Sequence, residues 1–120
     1  MKRDMELIKK IVLAIESAPG GYPPNPLEIE GYTKDQIGYH SYLLVKDELA
    51  EGVDITTKES TGPEYYIRSL TPAGHEFAEA ARDDKLWKKA TKKVAEVGGD
   101  ITVKLLSEML TLYMRQKFGL

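Results

Sequence analysis

The stretch TKDQIGYHSYLLVKDELAEGVDITTKESTGPEYYIRSLTPAGHEF, residues 33–77, decides the fold. It reads as a helix, a two-stranded hairpin and the start of another helix. Ile37, His40 and Leu44 recur at helical spacing along one side of the first segment. Leu49, Val53 and Ile55 then alternate as a strand. Lys58-Glu-Ser-Thr-Gly-Pro63 turns the chain, and Tyr65 to Leu70 bring it back. Thr71 is a helix N-cap with Pro72 at the first helical position, so a further helix containing Phe77, Ala78 and Ala81 begins there.

Outward from this stretch, Asp4 caps a first helix whose stripe is Leu7, Ile8, Ile11, Val12 and Ile15. The proline- and glycine-rich residues 18–26 end it. Leu27-Glu-Ile-Glu30 alternates apolar and acidic residues and predicts a short strand. Thr33 with Gln36 three residues on is a capping box, and the helix it starts ends near Asp47 or Glu48. Asp83 and Asp84 restart or continue the helix opened by Thr71. Beyond them Leu86, Trp87, Ala90, Val94 and Val97 fall on one helical arc, and Lys85, Lys88, Lys89, Lys92 and Lys93 on the opposite one. Gly98-Gly99 stops that helix, and Asp100 is expected to cap a last helix reaching almost to Leu120. The expectation is one α+β domain over residues 1–120, with a core in 1–82 and a helical extension in 83–120.

The bulk numbers fit that reading. A chain of 120 residues is one domain's length. At 42% hydrophobic and 30% charged residues it has the composition of a globular domain. A formal net charge of −2 gives no global field to draw in nucleic acid, so phosphate binding would rest on local patches. The absence of cysteine excludes disulfides, thiolate catalysis and cysteine-ligated zinc. Lys9 and Lys10 interrupt the apolar residues after the N-terminus, so no signal peptide or membrane span is read there, and a cytoplasmic location is expected.

The pattern of residues 33–77 is similar to winged-helix domains, a fold used mostly to hold duplex DNA and in a large minority to hold other proteins. Over its whole length the chain resembles a phage and bacterial family, domain of unknown function 2513. The residues that carry the likeness are Met1-Lys-Arg-Asp-Met-Glu-Leu-Ile8, Glu28-Ile-Glu-Gly-Tyr-Thr33 and Tyr39-His40. Leu70-Thr-Pro-Ala-Gly-His-Glu-Phe77, Ala81-Arg-Asp-Asp84 and Trp87-Lys88 complete it. The resemblance implies an origin in mobile elements and bacterial genomes, and brings no catalytic residues with it. Two features depart from the general winged-helix pattern. Residues 26–30 read as extended where a short helix usually precedes the recognition helix. Glu48 stands where that helix commonly ends on glycine, so Glu48 must adopt a left-handed conformation or the helix must end differently.

In a winged helix the exposed side of the 33–47 helix enters the major groove. Lys34, Asp35, Gly38, Tyr42 and Lys46 lie opposite the apolar stripe, with Ser41 and Val45 nearby and Gln36 and Tyr39 at the edge. Lys34, Gln36, Ser41, Tyr42 and Lys46 are the candidate groove contacts. Lys88, Lys89 and Lys92, on a lysine face with no acid among them, are the candidate phosphate contacts. A solvated helix face or a surface for an acidic protein are the other readings of that stripe. The hairpin tip offers little positive charge, because Glu59 follows Lys58 and Glu64 follows Pro63.

Apolar residues cover more of the last helix than one packing surface needs. A homodimer through Leu105, Met109, Leu112 and Tyr113 is therefore expected, unless the helix is sandwiched within the domain. His40 reads as a core histidine with its ring satisfied, and Trp87 as a core anchor. Tyr39, Tyr42, Tyr65 and Tyr66 form either an aromatic patch or part of the core edge. No metal, cofactor or catalytic constellation is read. The expectation is a non-enzymatic DNA-binding regulator of phage or mobile-element origin. The alternative is a module of the same origin that binds and modulates a host protein.

Overall fold

The computed structural model describes residues 1–98 and 101–120. Its elements are α1 (Met5–Ser17), a 3-10 turn (Pro19–Gly21), α2 (Lys34–Lys46), β1 (Ala50–Asp54), β2 (Tyr65–Leu70), α3 (Pro72–Arg82), α4 (Asp84–Val97) and α5 (Val103–Lys117). The class is α+β, with a two-stranded antiparallel sheet inserted in a helical protein. The order α1-α2-hairpin-α3 is winged-helix-like.

Local chemistry sets most boundaries. The Asp4 carboxylate accepts from the amides of Glu6 and Leu7, satisfying two donors at the start of α1. The capping box of α2 is complete: Thr33 accepts from the Gln36 amide, and Gln36 accepts from the Thr33 amide. α2 ends in the turn containing Glu48, whose φ of 63° is the left-handed conformation its position demands. Asp83 closes α3 and caps α4 by accepting from Lys85 and Leu86, so the two helices are separate. Thr102 caps α5 by accepting from Leu105. The expected cap at Asp100 lies outside the described residues, as does Gly99.

The core is one continuous cluster. Leu7, Ile8, Ile11 and Val12 of α1 are fully buried, as are Phe77 and Ala78 of α3 and Val103, Leu106 and Leu110 of α5. Full burial of the Leu, Ile, Val and Phe side chains contributes about 1.5–3 kcal/mol each before conformational entropy is counted. Trp87 joins the same cluster, edge-on to Phe77 at 6.2 Å, and its Nε1 donates to Glu6 at 2.7 Å. Buried His40 is held at both ring nitrogens. Nε2 accepts from the Asp4 amide at 2.8 Å, and Nδ1 lies 2.7 Å from the Gln36 carbonyl, so the proton sits on Nδ1.

Two expectations about strands need correction. Residues 27–30 form no strand: Leu27 and Ile29 pack on the core, and Ile29 accepts from Tyr32 across a turn. Their alternation reflects an extended segment half-buried on one side, with no neighbouring strand to pair with. In the hairpin, Val53 and Ile55 are 51% and 43% exposed. The inward residues of β1 are Ala50 and Gly52, and Leu49 is buried from the turn before the strand. A bulge explains the partner strand. Ser69 pairs with Glu51 and Ile67 with Gly52, which leaves Arg68 over, so Ile67 and Leu70 both point inward although three residues apart.

Candidate nucleic-acid interface

α2 is the element a winged helix would lay in a groove, and here part of its outer face is covered, while Lys34 and Lys46 stay exposed. The loop of residues 55–64 folds back along the helix and seats Pro63 on Gly38. A Cβ on Gly38 would overlap the Pro63 carbonyl oxygen and lie 3.2 Å from the carbonyl carbon, so only glycine admits this approach. Thr61 donates its hydroxyl to the Asp35 carboxylate at 2.6 Å. Lys34 Nζ sits 2.7 Å from Glu64 Oε1, while Ser60 donates to Glu64 Oε2 at 3.0 Å. Lys34 holds Glu64 below the usual carboxylate range, and Glu64 raises Lys34 in return.

This arrangement corrects part of the sequence reading. Ser41 is 3% exposed and Gly38 is buried, so neither is on an open reading face. Ser41 lines a cleft of about 340 Å³ between α2 and the folded-back loop, with Pro26, Leu27, Ile37, Ile55 and Pro63. The Gln36 side chain is used in the capping box. Tyr42 lies between Tyr39 and Tyr65, at ring separations of 6.3 and 5.9 Å, and its hydroxyl accepts from Lys46 at 3.1 Å. That contact raises the Lys46 pKa. Tyr66 stands apart from this cluster on the outer face of the sheet, paired across the strands with Val53. Residue spacing located the helix, but it held no signal that Asp35, Gly38, Thr61, Pro63 and Glu64 meet. These residues are separated by a hairpin whose tip direction only tertiary structure sets.

The lysines of α4 stand differently. Lys85, Lys88, Lys89, Lys92 and Lys93 are all exposed. Lys89 lies 4.2 Å above the Tyr113 ring of α5. Among the described residues, Lys85, Lys88, Lys92 and Lys93 have no carboxylate within ion-pair distance. Exposed Glu96, four residues after Lys92, closes the stripe at its C-terminal end. On α5, Leu105 and Leu112 are 47% and 52% exposed, seven residues apart on one face. Met109 and Tyr113 are half-buried at its margin. Among the described residues there is no cluster of three metal-ligating side chains, and no helix is long and apolar enough to cross a membrane.

Comparison with known proteins adds kinship. The family described as "Hypothetical protein (DUF2513)" matches residues 2–100. An uncharacterized protein of Haemophilus influenzae is 26% identical over 119 residues, spanning 97% of this chain and 98% of that one. No solved structure matches the chain. Because the family model matches residues 2–100 of the 120, well over half of the sequence, the chain belongs to the DUF2513 family.

Proposed function

We propose that this chain is a non-enzymatic DNA-binding protein of phage or mobile-element origin, acting as a regulator in the cytoplasm. It holds duplex phosphates chiefly through α4. The observation that carries this reading is the row of exposed lysines, Lys85, Lys88, Lys92 and Lys93, with no carboxylate partners among the described residues. On α2, Lys34 is paired with Glu64, and Lys46 donates to the neutral Tyr42 hydroxyl. Contact through α4 is sequence-independent and weakens steeply with salt as counterions return to the phosphates.

The Leu105–Leu112 face supports a homodimer. Dimerisation doubles the lysine rows available to a duplex.

The test is duplex binding by Lys88→Glu/Lys92→Glu against Lys34→Glu/Lys46→Glu. The reading requires the α4 pair to lose binding and the α2 pair to retain most of it. A second reading, a module that binds a host protein, is supported by the exposed cross-strand pair Val53 and Tyr66. Under it, Val53→Glu/Tyr66→Glu releases a captured protein, and duplex binding is absent throughout.

A further inference from the structure

We propose that the loop of residues 55–64 is an autoinhibitory strap over α2, with Glu64 occupying the place of a DNA phosphate on Lys34. The inference rests on the DNA-binding reading and extends it to a second, latent surface.

Three contacts hold the strap on α2, and a fourth follows it at Tyr65, the first residue of β2. The Glu64 carboxylate faces Lys34 with one oxygen and is oriented through the other by Ser60. It thus gives Lys34 what a phosphate would give, an oriented anionic oxygen. Thr61 bonds Asp35, the one acid in the first turn of α2. Pro63 sits on Gly38 where backbone would otherwise be open to an incoming strand. Tyr65 packs on Tyr42. Beneath the strap lies Ser41, nine-tenths buried, with its side chain at the wall of the cleft.

Gly38 is the informative position. Glycine within a helix costs about 1 kcal/mol relative to alanine. Its presence at the one site where a Cβ would strike the strap ties the helix to the closed arrangement. Glu64 is the informative charge, since no other carboxylate lies within ion-pair distance of Lys34 among the described residues. Lys34 is itself well exposed, at 74% of its side chain, so the pair opens without unfolding the core.

The experiment compares wild type, Glu64→Gln, Gly38→Ala and Glu64→Gln/Lys34→Glu. It measures hydrogen exchange over residues 55–64 and affinity for a mixed-sequence duplex across salt. Gly38→Ala keeps α2, because alanine is the better helix former, and displaces the strap. Expected are faster exchange over the strap in Glu64→Gln and Gly38→Ala, and roughly tenfold tighter duplex binding at low salt. The salt slope steepens by about 0.9, the value for one more neutralised phosphate. Lys34→Glu in the Glu64→Gln background removes the gain. Faster exchange with unchanged affinity overturns the strap while leaving binding through α4 intact. Unchanged exchange in Gly38→Ala overturns it by showing that Gly38 does not seat the loop. Binding by the released variants alone supports the strap and contradicts the role of α4. Absence of binding in every variant overturns both.

Discussion

The Thr71 hydroxyl donates to the Glu48 carbonyl at 2.6 Å, and the Gly74 amide donates to that same hydroxyl at 3.0 Å. One side chain therefore caps α3 and ties down the turn that ends α2. The Thr71 amide also donates to Leu49, and a Cβ on Gly74 would overlap the Leu49 carbonyl oxygen. These contacts give Leu70-Thr-Pro-Ala-Gly74 a physical meaning: cap, helix start and a glycine-sized approach. Thr71→Val is expected to destabilise the protein by about 1–2 kcal/mol through the lost cap and bond. Gly74→Ala is expected to cost about 1–3 kcal/mol through overpacking. Glu48→Gly relieves the left-handed residue and is expected to stabilise by up to about 1 kcal/mol. Denaturant midpoints check all three.

His40 bridges α1 and α2 through the Asp4 amide and the Gln36 carbonyl. His40→Phe preserves an aromatic ring and leaves the Asp4 amide without its acceptor. A cost of about 1–3 kcal/mol is expected, the penalty for an unpaired polar group at a buried site. Thermal unfolding of both proteins tests this.

The strap carries a pH signature of its own. Glu64 ionises below its ordinary 4.5, chiefly because of the Lys34 hydrogen bond. A depressed carboxylate contributes fully above its unfolded value, and the contribution is lost as pH falls through the folded value. Lys34 is raised above 10.5 by the same contact, so its contribution is present below 10.5 and lost as pH rises through the higher folded value. The side-chain proton signals of Ser60, which donates to Glu64, should therefore shift in the acid range below the ordinary carboxylate value. Glu64→Gln should abolish that transition. Its persistence in the variant would detach it from the strap.

Leu105→Glu/Leu112→Glu should convert a dimer into a folded monomer, because both side chains are half-exposed in the single chain. Sedimentation with an unfolding curve separates the cases. A smaller particle of unchanged stability supports the interface, and an unchanged particle removes it.

Much of the fold was legible because local rules acted alone. Asp4, Thr33 with Gln36, and Thr71 with Pro72 cap helices by contacts within one turn. The stripe Leu7, Ile8, Ile11, Val12 and Ile15 is buried as spacing required. Misreadings arose where partners are distant. Leu27 and Ile29 alternate like a strand, but pairing depends on a neighbour that their own residues do not specify. Val53 and Ile55 alternate properly, yet alternation names two faces without saying which is inward. Helical spacing puts Ser41 near the open side of α2, because helix geometry contains no knowledge of a loop returning from residue 63. The lysine stripe was legible because charge on an amphipathic helix is repelled from the core whatever the tertiary arrangement.

The most direct measurement is titration of a mixed-sequence fluorescent duplex with wild type and with Lys88→Glu/Lys92→Glu, across salt concentration. The account predicts wild-type binding that weakens steeply with salt, and its loss in the α4 variant. Equal binding by both proteins, or no wild-type binding at low salt, would contradict the assignment of α4 as the phosphate-holding surface.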